Sequence, residues 1–210
     1  LPDVTMARGT YPVPVPHPYI SGQEGVGVVR EASPGLPPLV GERVVGVCIQ
    51  PWGSLADVAV AIAPSIVPAP DALDDVEAAA FLIPAHTGYH VVVRRGQVRA
   101  GETVLVTGAA GGLGSACVQL AAARGAHVIA AVGSAEKARH CLALGAQHAV
   151  DHSSVDVVEG VREVVGERGV DVGVDPVQGV DAPRIRTLLR PDGRHVLCGH
   201  AGGLEPIDPH

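Results

Sequence analysis

Four glycines and several small side chains follow an apolar run in the stretch VTGAAGGLGS, residues 106–115. A backbone this bare can approach a ligand closely, and its free N–H groups can hold an anion such as a pyrophosphate. Against the dinucleotide-binding pattern GxGxxG the chain has Ala109, Gly111 and Gly114, so alanine replaces the first glycine. The imperfect pattern is a weak signal by itself, because a turn with a purely structural role could have the same composition.

The elements on either side of this turn favour binding. Residues 104–106 predict a buried strand, and apolar side chains at helical spacing follow the glycines. Gly125 stands where that helix should end, and HVIAAV, residues 127–132, predicts the next strand. In such a strand, turn, helix and strand unit, a pyrophosphate lies at the positive end of the helix dipole. We therefore predict a dinucleotide site at the turn.

The residues after the second strand of such a unit distinguish NAD from NADP, because an acidic residue there accepts the ribose 2′-OH of NAD. This chain has Val132 followed by GSAEK, so no carboxylate directly ends the strand. Ser134 can donate a hydrogen bond to a 2′-phosphate and Lys137 can supply positive charge, which favours NADPH. The alternative is that Ser134 only caps a helix over 135–144 and Lys137 is a solvated charge. His152, after the third strand, has the same two interpretations: it contacts the 2′-phosphate, or it is exposed to solvent.

Apolar runs and helical patterns alternate after Gly101, which predicts an α/β fold with a doubly wound parallel sheet. The five runs that predict strands are 103–106, 127–132, 148–150, 170–174 and 194–198. Up to about Pro70, the runs EGVGVVREA, GERVVGVCI and GSLADVAVAI predict an all-β region instead. A helical pattern begins at Asp74, and Pro84 should end or kink one helix and start another.

Composition restricts the class of partner. The 210 residues carry a net charge of −7 with no basic run, which argues against nucleic acid and anionic membranes and favours a small molecule. No apolar run approaches the length of a membrane span, and the first ten residues do not have the pattern of a signal peptide, so we expect a cytoplasmic protein. The four cysteines form no CxxC pair, which indicates structural thiols rather than a disulfide framework or a zinc ribbon.

Several stretches together resemble the zinc-free quinone oxidoreductases, the zeta-crystallin-like branch of the medium-chain dehydrogenase/reductase superfamily. The most specific is GETVLVTGAAGGLGSACVQLAAARGA, and the others include PDVTMARGTYP, LDDVEAAAFLIPAHTGYH and LRPDGRHVLCGHAGG. The resemblance implies a Rossmann domain that binds NADPH and a GroES-like β domain for the substrate, with the active site between them. Zinc enzymes of the superfamily carry a histidine before the glutamate where this chain has Gln23 and Glu24, so no metal is expected.

The resemblance also assigns residues. It implies that Thr87 lies near the nicotinamide, although a helix-capping role is the alternative, and that Gly199 lies beside the nicotinamide ring. The residues implied at the pyrophosphate are Ala110, Gly111, Gly112 and Leu113, and those at the 2′-phosphate are Ser134, Lys137 and His152. In DPVQG, Gln178 replaces a glycine of the family pattern and is expected to stiffen that loop. No general acid is singled out among the tyrosines and histidines, so the catalytic residues stay unknown.

These inferences give a predicted domain plan and a predicted function. Residues 1–72 are expected to form a partial GroES-like substrate domain, 73–100 connecting helices, and 101–210 a Rossmann domain without its last strand. The predicted activity is zinc-independent hydride transfer from NADPH to a quinone or a conjugated carbonyl compound, with a homodimer as one expected state. Because both ends look shortened against the family pattern, the alternative is an NADPH-binding protein of the same family with little or no activity. A reductase domain cut from a polyketide or fatty-acid synthase is a third reading.

Overall fold

The computed structural model describes residues 2–34 and 40–204. The chain divides into two compact units, one up to Ile83 and one from Pro84 onward. This division falls inside the segment 73–100 that the sequence predicts to connect two domains. Among the described residues, no helix combines the length and apolar character that a bilayer crossing requires.

The first unit contains a small antiparallel sheet with the strand order β1-β2-β3. Its elements are α1 (Pro2–Ala7), β1 (Glu24–Val28), β2 (Arg43–Val47), a 3-10 turn (Ala63–Ser65), β3 (Val67–Pro68) and α2 (Asp75–Ala78). The core of this unit is small: the buried cluster among its described residues consists of Val45, Ala69, Ala78 and Leu82.

The expectation of an all-β region is wrong at two places in this unit. Residues 2–7 form α1, where Pro2 starts the helix and the carboxylate of Asp3 lies in its first turn, both of which favour a helix N-terminus. The run GSLADVAVAI forms no strand, although Ala61 makes an isolated bridge with Cys48. Val58 and Val60 of this run are 58% and 50% exposed. Its alternating apolar side chains therefore do not pack against a core among the described residues, and such packing is what favours a strand.

Of the two short helices that follow, α2 begins where the sequence predicts it and α3 (Leu82–Tyr89) begins two residues before the predicted position. Asp74 caps α2 by accepting a hydrogen bond from the Glu77 N–H at 2.8 Å, and the Glu77 carboxylate accepts from the Asp74 N–H at 3.3 Å. The helical pattern is interrupted as predicted, but the break lies at residues 79–81, before Pro84. Pro84 is instead the third residue of α3, where a missing N–H costs no hydrogen bond. A π-helical turn (His90–Arg95) follows α3.

The second unit is a five-stranded parallel sheet, which confirms the predicted doubly wound fold. Its strands are β4 (Thr103–Val106), β5 (His127–Val132), β6 (His148–Asp151), β7 (Val170–Asp175) and β8 (Leu189–Leu197). Their order is β6-β5-β4-β7-β8. β5 and β6 therefore lie on one side of β4, and β7 and β8 lie on the other. The last strand begins five residues earlier than predicted, because Leu189 already pairs with Val170 across an irregular register.

Helices cover both faces of this sheet and bury alternate side chains of each strand. The helices are α4 (Gly112–Ala123), α5 (Ala135–Ala143), α6 (Val157–Val165) and α7 (Ala182–Arg186). Val104 and Val106 of β4 join the core cluster that contains residues of α4 and α5, whereas Leu105 joins the cluster that contains residues of α6 and α7. Because all five strands are parallel, their carboxyl ends meet at one edge of the sheet, which is where ligands bind in such folds.

Candidate dinucleotide-binding site

The chain turns sharply at Gly108, directly after β4. Gly108 has a φ of +52°, a left-handed conformation that side chains disfavour, and a Cβ there would lie 2.8 Å from a methyl carbon of Val177. The sequence pattern assigned the first glycine position to Ala109, but the structure gives the tight turn to Gly108. Ala109 is fully buried and its N–H donates to the Ala131 carbonyl at 3.2 Å, so alanine is compatible with this position.

The N-terminus of α4 lies at the end of this turn and has free donors. Gly111 is the N-cap residue and makes no side-chain capping bond, so the N–H groups of the first helical turn have no partner within the helix. Gly111 and Gly112 are exposed, whereas Ala110 and Leu113 are half-buried. A Cβ at Gly114 would lie 2.3 Å from the Gly108 carbonyl oxygen, so only glycine allows the helix to approach the turn this closely. The four residues predicted at the pyrophosphate therefore surround an open helix N-terminus.

The residues predicted at the 2′-phosphate meet at the carboxyl ends of β5 and β6. Ser134 caps α5, and its hydroxyl oxygen accepts from the Lys137 N–H at 3.3 Å, which confirms the capping role. Lys137 and His152 are exposed. The His152 ring lies against Gly133, because a Cβ at Gly133 would be 3.2 Å from its Cε1 atom. Ser134 and His152 therefore lie at the same edge, next to the end of β5, which has no carboxylate. The Asp151 carboxylate at the end of β6 accepts hydrogen bonds from the N–H and the hydroxyl of Ser153.

The two residues predicted near the nicotinamide lie elsewhere in this unit. Thr87 lies inside α3, so it caps no helix, and its hydroxyl makes no hydrogen bond among the described residues. α3 packs closely on α4, since a Cβ at Gly88 would lie 3.1 Å from the Ala116 Cβ. Gly199 follows β8, where a Cβ would lie 2.3 Å from the Pro176 carbonyl oxygen. No backbone hydrogen bond joins Thr87 and Gly199 in the described part of the chain.

Sequence reasoning missed a buried cluster at the carboxyl ends of β4, β7 and β8. The Asp175 Oδ1 atom accepts hydrogen bonds from the Thr107 hydroxyl at 2.6 Å and from the N–H groups of Val177 and Gln178 at 3.0 and 2.8 Å. The Oδ2 atom lies 3.5 Å from His195 Nε2. Burial opposes the charge of Asp175, but the facing His195 ring and the hydrogen bonds from Gln178, Thr107 and Val177 together outweigh it and lower the pKa to about 2. Only the aspartate in DPVQG signalled this cluster in the sequence.

Glu24 is the glutamate at which the sequence predicts no metal ion. In the structure its side chain makes a hydrogen bond within the first unit. Its Oε2 atom accepts from the Ile83 N–H at 2.7 Å, at the start of α3. Burial raises the pKa of Glu24, although the N–H groups of Ile83 and Leu82 oppose that change. Across residues 2–34 and 40–204, no group of three or more His, Cys, Asp or Glu side chains is arranged to hold a metal ion.

Comparison with known proteins identifies relatives of this chain. A family model described as a zinc-binding dehydrogenase matches residues 112–210. The 2-haloacrylate reductase of a Burkholderia species is 34% identical over an alignment of 204 residues, and the match covers 92% of this chain and 61% of that protein. Human quinone oxidoreductase is 31% identical over 202 residues, which are 96% of this chain and 61% of that protein.

A solved structure shows that the similarity extends from the sequence to the fold. The crystal structure of the quinone oxidoreductase from Thermus thermophilus, also solved as its complex with NADPH, is 35% identical and superposes with a TM-score of 0.79. The match covers 99% of this chain and 62% of that one, and the chain spans about three fifths of the length of the curated relatives. The family model, the two relatives and the solved structure together support the assignment of this chain to the quinone oxidoreductase branch of the medium-chain dehydrogenase/reductase superfamily.

Proposed function

We propose that this chain binds NADPH and belongs to a reductase that transfers hydride to a quinone or another conjugated carbonyl compound. The observation that supports the proposal most directly is the uncapped N-terminus of α4 at a bare glycine turn, beside a strand end that has no carboxylate. An anion is favoured at such a helix end, and a 2′-phosphate is tolerated where no carboxylate repels it. The NADPH complex of the Thermus thermophilus relative supports the choice of NADPH.

The residues of the second unit fit such a dinucleotide in an extended arrangement. The pyrophosphate would lie against the N–H groups of residues 110–113, with the exposed glycines leaving room for it. Ser134 would donate its hydroxyl hydrogen to the 2′-phosphate, the charge of Lys137 would attract it, and the His152 ring would lie beside it. Thr87 and Gly199 would lie near the nicotinamide, which supplies the hydride when NADPH is bound.

We further propose that the reaction needs no zinc. Gln23 stands before Glu24, and an amide is a poor zinc ligand compared with the histidine of the zinc enzymes. The Glu24 carboxylate is already engaged by the Ile83 N–H. Without a metal, hydrogen bonds must polarise the carbonyl of the acceptor. The substrate-binding role of the first unit, a homodimer and a cytoplasmic location stay predictions.

Titration of the full chain with NADPH and NADH, followed by the fluorescence of the reduced nicotinamide, tests cofactor binding. We expect tighter binding of NADPH, and we expect Lys137→Ala to weaken NADPH binding about tenfold, because a charge-assisted contact to phosphate is worth about 1.4 kcal/mol or more. NADH binding should not change. Arg162→Ala is the matched control, because it removes an exposed cation from α6, whose buried residues join the other core cluster. Failure of NADPH to bind would contradict the proposal.

Oxidation of NADPH in the presence of 1,2-naphthoquinone or an enone tests the chemistry. Turnover that survives a strong chelator, in protein without bound zinc by elemental analysis, would support the zinc-independent reductase. If NADPH binds but no acceptor accelerates its oxidation, the chain is an NADPH-binding protein of this family with little or no turnover.

A further inference from the structure

The proposed function gives no cofactor-binding role to the pair formed by Asp175 and His195. Both side chains are almost fully buried, with 2% and 10% of their surfaces exposed. The Asp175 Oδ2 and His195 Nε2 atoms face each other at 3.5 Å, and neither atom has a hydrogen-bond partner among the described residues. Two buried polar atoms that have only each other are costly to a fold, so their presence calls for an explanation.

Strand β7 leaves space for the His195 ring. In the register of β7 and β8, His195 lies opposite Gly173, and a Cβ at Gly173 would be 3.3 Å from the His195 Cδ2 atom. Gly173 and Asp175 are two residues apart on one strand, so their side-chain positions share a face of the sheet. The ring therefore lies along β7 and reaches toward the carboxylate at its end.

The carboxylate that His195 faces shapes the first of two loops at this edge of the sheet. Asp175 Oδ1 accepts the N–H groups of Val177 and Gln178, which folds residues 176–179 back over the strand end. The Thr107 hydroxyl donates to the same atom from the end of β4. One carboxylate thus connects the loop after β7 with β4 on one side and, through His195, with β8 on the other.

The second loop, residues 198–202, continues from β8 and is joined to the first. The N–H groups of Cys198 and Gly202 donate to the carbonyls of Asp175 and Val177 at 3.1 and 2.7 Å. The Gln178 side-chain amide donates to the Gly199 carbonyl. The two loops therefore form one joined segment, whose position depends on how β7 and β8 are held at their ends.

The order of the strands places this joined segment away from the residues for the adenosine half. Ser134 and His152 lie at the ends of β5 and β6, whereas the joined loops lie at the ends of β7 and β8, on the other side of β4. A dinucleotide in such a fold lies across the carboxyl ends at the point where the strand order reverses, which is between β4 and β7. Its nicotinamide half must then lie on the side of the joined loops.

We propose that His195 is a positioning residue for the nicotinamide half of the cofactor, acting through Asp175 on the loops 176–179 and 198–202 without touching the cofactor. This inference rests on the proposed function. It predicts that loss of the pair affects one half of the dinucleotide and leaves the other unaffected, an effect that general destabilisation would not produce.

The test compares the full chain with His195→Leu in two titrations. One uses NADPH, and the other uses adenosine 2′,5′-bisphosphate, which has the adenosine and the 2′-phosphate but no nicotinamide. We expect the Leu variant to bind NADPH about tenfold more weakly, because the Asp175 carboxylate loses a partner and the loops loosen. Binding of the bisphosphate should stay within about twofold of the wild type, since its contacts lie at β5 and β6. His195→Gln keeps an N–H donor and should recover most of the NADPH affinity.

Several outcomes would overturn the inference alone: equal weakening of both ligands, no weakening of either, or no recovery with glutamine. If the wild type does not bind NADPH at all, the proposed function fails and the inference with it. Should the Leu variant not fold by circular dichroism, His195→Asn replaces it, because the shorter amide does not reach the position from which Nε2 faces Asp175. The same pair of titrations then decides the inference by the same criteria.

Discussion

Glu24 in the first unit and Asp175 in the second are both carboxylates withdrawn from water, but their surroundings change the two pKa values in opposite directions. Burial raises the pKa of Glu24, and the nearby charge of Asp3 adds to that, so the few N–H donors it meets do not compensate. Burial acts on Asp175 in the same sense, but three hydrogen bonds to Oδ1 and the facing His195 more than compensate and lower the pKa to about 2. The number of donors, rather than the depth of burial, decides which state the fold favours.

The hydrophobic cores of the two units differ in size. Among residues 2–34 and 40–204, the first unit has one cluster of four buried residues, whereas the second has clusters of seventeen and ten on the two faces of its sheet. The candidate dinucleotide site is built entirely from the second unit, so its side chains and turns rest on the larger cores. The two units can be followed separately, because the only tryptophan, Trp52, lies in the first unit and most helices lie in the second.

The largest effect is expected from Asp175→Ala. The change leaves the Thr107 hydroxyl, two backbone N–H groups and His195 without their acceptor in a buried site, which should cost about 3–5 kcal/mol of the free energy of unfolding. Urea unfolding followed by far-UV circular dichroism would measure it. A loss below about 1 kcal/mol would show that the carboxylate is dispensable and would remove the contrast with Glu24.

One buried and one exposed apolar residue test how far each unit depends on its apolar side chains. Leu105 is fully buried in the second unit, so Leu105→Ala should cost about 2–5 kcal/mol. Val58 in the first unit is 58% exposed, and Val58→Ala should change the stability by no more than about 0.5 kcal/mol. Urea unfolding would measure both, with circular dichroism for Leu105→Ala and Trp52 fluorescence for Val58→Ala. Equal costs for the two changes would show that residue 58 is covered in solution.

Acid should destabilise the second unit through Asp175. Its pKa lies below the ordinary 3.8 in the folded chain, so the stabilisation is present above about pH 4 and is lost as the pH falls toward 2. The loss should amount to about 2 kcal/mol from this group. Unfolding by urea at several values between pH 2.5 and 6, again by circular dichroism, measures the slope. The slope should be smaller in Asp175→Asn, and an unchanged slope would assign the acid sensitivity to other carboxylates.

The smallest effect is expected from Glu24→Gln. Because the folded chain raises the pKa of Glu24, stability is greatest below the ordinary value of 4.5 and falls as the pH rises through the raised pKa. Glutamine cannot ionise and its carbonyl still accepts from the Ile83 N–H, so the variant should be more stable at pH 7 by on the order of 0.5 kcal/mol. Trp52 fluorescence during urea unfolding would detect the gain, which should vanish near pH 4. Destabilisation at pH 7 would mean that the charged carboxylate is needed.

The sequence by itself determined the parallel sheet, the glycine turn and the cap at Ser134, because each depends on neighbours within one strand, turn or helix. Apolar runs between helical patterns gave β4 and β5 with the bounds that the structure has, and Gly125 has the predicted left-handed conformation, with a φ of +78°. The placement of Thr87, Gly199 and the phosphate residues in roles toward a cofactor stays a prediction.

Only the tertiary structure decided which residues meet across strands. The failure of GSLADVAVAI to form a strand depends on what lies beside it, and a period of two cannot show that. The motif assigned the tight turn to Ala109, whereas the structure has it at Gly108, because the turn depends on backbone angles that a sequence motif does not specify. Asp175, Thr107 and His195 lie 20 to 88 residues apart and meet because parallel strands bring their carboxyl ends together. Local periodicity contains no information about such pairings, which arise only when the sheet is assembled.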